Sequence, residues 1–463
     1  MKVAFMGAVR TVTGSMHLLE VGARRVLIDC GLFQGPRDLS EVRNREFPFD
    51  PAGLDAVIHT HAHIDHSGNL PTLVKQGFTG PIHATLATGD LCQAMLRDSA
   101  HIQVKDAEFV NKHPGRRGPR HREPLYTVVE VEEAIRLFGG HPYGEPVNVC
   151  EGVTVTFRDA GHILGSGILE LDLSERGVTR KVVFTGDLGR CHLPILRDPA
   201  TIRGCDLLII ESTYGNRYHP PIEAVPEQLA QIIDRVRARG GKILIPAFAV
   251  GRAQEIVWIL RRLVADGRIE SLPIYVDSPL AVDVTAIFAR HPECYDSETR
   301  SLLAHDADPF GFRLVHYIRD AGQSKALNGQ PDTSIIISPS GMCEAGRVLH
   351  HLRNNIEDPR TLILIAGFQA DDTLGKRLVE QRPRVRIFGE EFERRAEVVV
   401  MDSFSAHADR TELLDWAGRI EEKPAKTFVV HGNEDQSESL AAALREIGFR
   451  GAEVPVLGQE SRL

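Results

Sequence analysis

Residues 59–68 read His59-Thr60-His61-Ala62-His63-Ile64-Asp65-His66-Ser67-Gly68, and the stretch from His61 to His66 carries three imidazoles and a carboxylate. An apolar run, Leu54 to Ile58, precedes it, and Gly68-Asn69-Leu70-Pro71 follows. That is the order strand, loop, helix start. Few structural roles need so many metal-capable side chains so close together. Divalent zinc does, because it takes imidazole nitrogen and carboxylate oxygen in compact geometry. The register follows from the carboxylate. A pairing of His59 with His61 needs an aspartate at 63, where the chain has a histidine; only His61, His63, Asp65 and His66 complete the pattern. His59 is then a strand residue on the parity of His61, a candidate for a place behind the ligands and dispensable for zinc. A histidine-rich surface loop is the plainer alternative. The Asp65-His66 step and the buried-type strand before it count against that.

Working outward, single metal-capable residues stand at other expected strand ends. Asp29 closes a strand at Val26–Ile28 and precedes Cys30-Gly31. His162 lies in Asp159-Ala160-Gly161-His162-Ile163-Leu164-Gly165-Ser166, and Asp187 in Thr185-Gly186-Asp187-Leu188-Gly189. Alone, such an aspartate is usually a turn former, and such a histidine a satisfied core or surface residue. Together with the 61–66 cluster they supply enough ligands for two metal ions. Strand ends are where a layered scaffold collects a site from separate pieces, and the adjoining glycines permit close approach.

The chain has 463 residues, 42% apolar and 25% charged, with a net charge of −9. Its length predicts two domains. No window reaches the ~20 apolar residues of a membrane span, and the start breaks too early with Gly7 and Arg10 for a secretory signal. Seven scattered cysteines without a CxxC read as reduced residues of a cytoplasmic protein. The acidic balance argues against a broad nucleic-acid-coating surface. Local basic stretches at 116–122 and from Arg377 to Arg395 remain candidates for RNA contact beside the plainer reading as solvated faces.

Short β-rich runs fill the first part of the chain: Val3–Phe5, Met16–Val21, Arg25–Ile28, Val153–Phe157, Ile168–Leu173 and Lys181–Phe184. Leu86–Leu96 reads as a helix. Residues 104–145, polar and rich in Pro, Gly and Arg, read as an insertion or lid with a short helical piece at Val131–Phe138. After Asp206 the grammar changes to alternating βα. Strands at Lys242–Pro246, Pro273–Val276, Thr333–Ser338 and Thr361–Ala366 alternate with helices at Glu227–Arg239 and Arg252–Asp266, the pattern of a parallel sheet with covered faces. Val398–Met401 then leads to Ser405-Ala406-His407, and Phe428–Val430 to His431-Gly432-Asn433.

Asp29, the His61/His63/Asp65/His66 cluster, His162 and Asp187, in that order, resemble the metallo-β-lactamase superfamily. Further motifs resemble its β-CASP ribonuclease branch, which includes RNase J and the nuclease subunit of the cleavage and polyadenylation machinery. These are Glu211 in Glu211-Ser212-Thr213-Tyr214-Gly215, His407 in Ser405-Ala406-His407-Ala408-Asp409, and His431 in Val430-His431-Gly432. The stretches Pro246–Glu255 and Ser338–Arg347 are also similar to that branch. The resemblance covers essentially the whole chain. It implies an α/β fold: an αββα sandwich from residues 1–213, an inserted α/β β-CASP domain with a mainly parallel sheet from 214–396, and a return to the sandwich over 397–463. The absence of extra terminal domains suggests the short bacterial form.

The resemblance also implies two Zn2+ ions per chain. His61, His63 and His162 would hold the first, Asp65, His66 and His431 the second, and Asp187 would bridge them, with Asp29 orienting a ligand histidine. It implies hydrolysis of phosphodiester bonds in single-stranded RNA by a metal-bridging hydroxide, leaving 5′-phosphate and 3′-hydroxyl, in RNA processing or decay. His407 is expected as general acid, held by Glu211. Arg252, Ser340, Gly341 and Met342, at strand-to-helix turns, are candidates for the nucleic-acid backbone. The expected partner is single-stranded RNA, reached along a cleft between the domains; a homodimer is left open, and no membrane partner is expected. Endonuclease and 5′-exonuclease modes are both open. So are a DNA-directed nuclease of the same fold and a hydrolase of a small ester, thioester or lactam, although the insert and the Glu211/His407 pair count against the last.

Overall fold

The computed structural model describes residues 1–112, 122–305, 310–311, 314–367, 369 and 373–463, apart from the side chains of residues 37, 304 and 305. Most of the basic stretch at 116–122 therefore lies outside the described residues. The chain forms two compact units. One comprises Met1–Cys191, Asp198–Tyr218 and His407–Leu463; the other comprises His192–Arg197 and His219–Ala406.

The first unit holds two seven-stranded sheets. In one, Lys2–Phe5 pairs antiparallel with His17–Val21 and that with Arg24–Ile28, after which Ala56–Ile58, Ile82–Thr85 and Phe138–His141 add in parallel. The last strand of the chain, Glu460–Arg462, pairs with the first, Lys2 opposite Arg462. In the other sheet, Pro146–Cys150, Val153–Asp159, Gly167–Glu175 and Val178–Phe184 form an antiparallel meander. Leu207–Glu211, Lys426–Val430 and Ala452–Glu453 extend it in parallel.

Period-two alternation sorts the strand residues into layers. Val3, Phe5, Leu19, Val26 and Ile28 of the first sheet meet Val155, Phe157, Leu171, Phe184, Ile209 and Phe428 of the second in one buried core. The intervening residues face outward onto helices. Ala4, Leu18, Leu27 and Val57 pack with Leu70 and Leu73 of the helix Leu70–Lys75. Ile168, Val183, Leu208 and Val429 pack with Leu413 and Trp416 of Arg410–Gly418 and with Leu440 and Leu444 of Glu434–Glu446. The result is a helix–sheet–sheet–helix sandwich. Each fully buried Leu, Ile, Val or Phe contributes about 1.5–3 kcal/mol, and a one-residue slip would turn a whole strand inside out, so register is firmly set.

The second unit is built on six parallel strands in the order Val315–Ile318, Ile274–Asp277, Ser334–Ser338, Lys242–Pro246, Leu362–Ile365, Glu397–Val400. Lys242–Pro246 and Ser334–Ser338 are buried at every position, the sign of a sheet covered on both faces.

Two expectations need correction. The described parts of the segment 104–145 are framework: the helix from Leu86 runs on to Lys112, Val128–Arg136 is a second helix with a Thr127/Glu130 capping box, and Phe138–His141 is the edge strand of the first sheet. The strand near 398 does not open the return to the sandwich. Glu397–Val400 pairs in parallel with Leu362–Ile365, and the second unit runs to Ala406, past the boundary expected at 396.

Candidate metal centre

The site grows from the carboxyl ends of strands in the first unit. Asp29 follows Arg24–Ile28, and the stretch from His59 to His66 follows Ala56–Ile58. His162 follows Val153–Asp159, Asp187 follows Val178–Phe184, Glu211 ends Leu207–Glu211 and His431 follows Lys426–Val430. His407 alone arrives from no strand of the sandwich. It is pinned by an antiparallel bridge to Gly189 and by the bond from Ala408 N to Leu188 O at 2.8 Å. Two glycines are required by close approach. A Cβ at Gly31 would stand 1.6 Å from Asp65 O, and one at Gly189 would stand 1.9 Å from Gly161 O.

The side chains converge in two groups about Asp187. His61 Nε2 lies 3.2 Å from His63 Nδ1, which lies 3.1 Å from His162 Nε2. Asp187 Oδ2 faces this group, 3.4 Å from His61 Nε2 and 3.6 Å from His162 Nε2. On the other side, His66 Nε2 is 2.9 Å from His431 Nε2, which is 3.5 Å from Asp65 Oδ2. Asp187 Oδ1 faces this second group, 3.4 Å from His66 Nε2. This buried oxygen has no hydrogen-bond donor among the described residues. Within each group the potential ligand atoms all lie within 4.8 Å of one another.

Buried imidazoles and carboxylates in this arrangement fit a divalent transition metal. The protonation of His63, His162 and Asp187 agrees. Burial, helped by His61, pushes His63 down to about 3; burial and the neighbouring His407 hold His162 well below its usual value. Burial would neutralise Asp187, but His431, His66 and His61 outweigh it and keep the carboxyl ionised. His66 runs the other way: burial lowers its pKa, and Asp187 and Asp29 more than reverse that. Neutral imidazole and ionised carboxylate are the forms that take a dication.

Asp29 stands behind His66. It is 2% exposed and accepts from Thr60 N at 2.8 Å and Thr60 Oγ1 at 2.8 Å. Its Oδ2 is 2.7 Å from His66 Nδ1 and its Oδ1 is 2.9 Å from His59 Nδ1. Burial raises its pKa, but His66 and His59 hold it well below the carboxylate range. His59 therefore touches the carboxylate behind the cluster and belongs to neither ligand group. Asp29 and His431 both have left-handed backbones, φ 56° and 52°, a strain of about 1–3 kcal/mol each that clusters at functional sites.

Glu211 Oε1 accepts from Leu188 N at 2.7 Å and lies 3.3 Å from His407 Nδ1. Burial lowers the pKa of His407, but Glu211, then Asp187 and Asp65, outweigh this and raise it to about 9. Two hydroxyls escaped the sequence reading. Thr213 Oγ1 lies 3.1 Å from His431 Nδ1, and Ser166 Oγ accepts from His162 N at 3.1 Å. Both sit inside motifs quoted for their neighbours, which was the available signal.

Arg252, Ser340, Gly341 and Met342 all lie in the second unit. Arg252 opens the helix Arg252–Ala265 after Gly251; it is buried, bonded to Glu255 and stacked 5.3 Å from the Phe404 ring centroid. Ser340 Oγ accepts from Glu344 N at 3.1 Å, Gly341 O accepts from Gln369 Nε2 at 3.1 Å, and Met342 O accepts from Gly375 N at 3.1 Å. In the basic stretch from Arg377, Arg382, Arg384 and Arg395 pair with Glu380, Glu391 and Glu393, as a solvated face does.

A four-layer sandwich with a two-group His/Asp cluster at its strand ends is the architecture of the metallo-β-lactamase superfamily. Family models match along the chain in order: a Beta-lactamase superfamily domain over residues 24–245, a Beta-Casp domain over 253–378 and a Zn-dependent metallo-hydrolase RNA specificity domain over 391–455. The chain is 37% identical to "Ribonuclease TTHA0252" of Thermus thermophilus, covering 98% of this chain and 97% of that one. It is 31% identical to "RNase J-like protein" of Methanocaldococcus jannaschii, covering 98% of each. It is also 31% identical to "Transcription termination factor FttA" of Methanosarcina mazei, covering 96% of this chain and 68% of that one. A crystal structure of a protein of unknown function from Enterococcus faecalis shares the fold, with a TM-score of 0.60 over 100% of this chain and 99% of that one at 13% identity. The chain belongs to the β-CASP ribonuclease family of metal-dependent nucleases. No described helix is long and apolar enough to cross a membrane.

Proposed function

We propose that the protein hydrolyses phosphodiester bonds of single-stranded RNA with two zinc ions, leaving 5′-phosphate and 3′-hydroxyl ends. The observation that carries this reading is Asp187, whose two oxygens face the two ligand groups separately. His61, His63 and His162 would hold one ion, Asp65, His66 and His431 the other, and Asp187 both. Bound zinc supplies Lewis acidity to the non-bridging oxygens and a nucleophile at neutral pH.

The chain's own groups do the rest. Glu211 engages His407 Nδ1 and favours the protonated ring, so Nε2 is the atom available to protonate the leaving 3′-oxygen. Asp29 fixes the His66 tautomer by accepting at Nδ1, which leaves Nε2 as the ligand atom. Arg252, held by Glu255, and the Ser340–Gly341–Met342 turn are assigned to the nucleic-acid backbone.

One gel tests the reading. Single-stranded RNA and DNA, each with a 5′-phosphate or 5′-hydroxyl, are incubated with zinc-loaded wild type and with His407→Ala. Cleavage of RNA by wild type, stopped by chelation and much slowed in the variant, is expected. Four intact substrates would end the nuclease reading, and a variant as fast as wild type would remove His407 from its role. Cleavage of DNA alone would replace RNA as substrate.

A further inference from the structure

A second pair of residues bears on where His407 stands. Arg190 follows Asp187 by one short turn of chain, is only 5% exposed, and directs Nε at Glu412 Oε1, 3.3 Å away. A buried arginine is rare unless its charge is answered. Glu412 has a further duty. It occupies the third position of the helix Arg410–Gly418, and its Oε2 accepts from Asp409 N at 2.8 Å while Asp409 Oδ1 accepts from Glu412 N at 3.0 Å. Such a capping-box glutamate ordinarily needs no more than its own helix end. Here the second oxygen reaches across to the segment that carries Asp187.

That link closes a frame of three backbone segments. Gly189 lies so close to Gly161 that no side chain fits between them, which fixes the Asp187 segment against the turn bearing His162. Gly189 also bridges His407, and Ala408 N donates to Leu188 O at 2.8 Å. Those contacts set the strand-like approach of His407, and the following helix is seated by Leu413 and Trp416 in the core and by Arg410 N donating to Arg217 O at 3.0 Å, none of which is a polar tie to the Asp187 segment. The Arg190–Glu412 bond ties the first turn of that helix to the Asp187 side, with its charged ends mostly out of water, where such a bond is worth more than at the surface.

We propose that Arg190 and Glu412 are positioning residues for His407: they hold the start of the helix that follows it at a fixed distance from the Asp187 segment, and so aim its imidazole. This rests on His407 acting as proton donor in the proposed ribonuclease reaction. The geometry of a donor is exacting, since a displacement of about 1 Å can lower a rate roughly 100-fold.

The test separates proton donation from general damage. Glu412→Gln keeps an acceptor for Asp409 N and removes the charge facing Arg190; Arg190→Lys keeps the charge and shortens the reach. For each zinc-loaded protein, kcat is measured on single-stranded RNA and on bis(p-nitrophenyl) phosphate, whose leaving group departs without a proton. The expected result is a ratio of RNA to nitrophenyl turnover about 10-fold or more below wild type, an unchanged KM for RNA, and no additional loss of the ratio when Glu412→Gln is combined with His407→Ala. A ratio equal to wild type, or a further loss in the combined variant, overturns the inference and leaves the ribonuclease reading standing. Wild type inert on RNA overturns both.

Discussion

Asp29→Asn should cost the chain one of its metal positions, and the hydrogen bonds say why. Asp29 Oδ1 accepts from Thr60 N at 2.8 Å, a backbone donor that cannot reverse. An asparagine must therefore keep its carbonyl there and turn its amide towards His66 Nδ1, now 2.7 Å from Asp29 Oδ2. Two donors cannot face each other, so the ring must accept at Nδ1 and carry its proton on Nε2. That nitrogen is the one facing His431 Nε2 at 2.9 Å and Asp187 Oδ1 at 3.4 Å, and a protonated nitrogen cannot bind a metal. The lost bond is of the charged kind, about 1.5–3 kcal/mol. That matches the 10–100-fold, or about 1.4–2.7 kcal/mol, by which such partners alter metal affinity. The assay is competition with a chromophoric chelator, with metal content per chain measured after dialysis. The variant should hold one zinc as wild type does and release the other 10–100-fold more readily. Two zinc ions bound with wild-type affinity would refute the tautomer argument.

His59→Gln provides the contrast: His59 meets the same carboxylate at 2.9 Å but joins no ligand group, so zinc content by elemental analysis should stay at the wild-type value. Gly31→Ala should perturb both folding and metal content, because its Cβ would stand 1.6 Å from Asp65 O; soluble yield and zinc per chain read this out. His407→Ala should slow RNA cleavage by about 10²–10⁴-fold with zinc content intact, measured by single-turnover assay. Asp277, fully buried, is bonded to Arg347 Nη1 at 2.6 Å, to His351 Nε2 at 2.7 Å and to Ser324. Burial raises its pKa, but His351, Ser324 and Arg347 hold it below the usual carboxylate value. A depressed carboxyl contributes stability that is present above about pH 4 and lost as pH falls through the folded value. Asp277→Asn should therefore lower the melting temperature at pH 7, and its gap to wild type should narrow as the pH drops below the pKa of an ordinary aspartate.

The legible parts of this fold were those whose local pattern already matched their tertiary role. Lys242–Pro246 is buried at every position and reads as a strand in isolation, with the same ends in the structure. Phe138–His141 contains two glycines, and Pro146–Cys150 begins with proline. Their strand character comes from the partners Ile82–Thr85 and Val153–Asp159, which no local propensity reveals. The same division holds in the site. The 61–66 cluster announces itself by density, whereas the bond of Glu211 to His407 spans 196 positions of chain and could be anticipated only by resemblance. Boundaries failed where local appearance misled: Glu397–Val400 looks like the start of a returning segment but finds its partner in Leu362–Ile365.

The chain order of the site also bears on the protein's own synthesis. A nascent chain that has emerged through the insert already presents His61, His63, Asp65, His66, His162 and Asp187, yet neither His407 nor His431 exists outside the ribosome. The terminal strand Glu460–Arg462, which pairs with Lys2–Phe5, is later still. A nuclease translated beside messenger and ribosomal RNA thus lacks, until late in synthesis, the residues proposed as its proton donor and as a ligand of its second metal. Ribosome-bound chains stalled before residue 407 should leave added RNA intact, while the released chain of 463 residues, supplied with zinc, should cut it; cutting by the stalled chains would contradict this order of assembly.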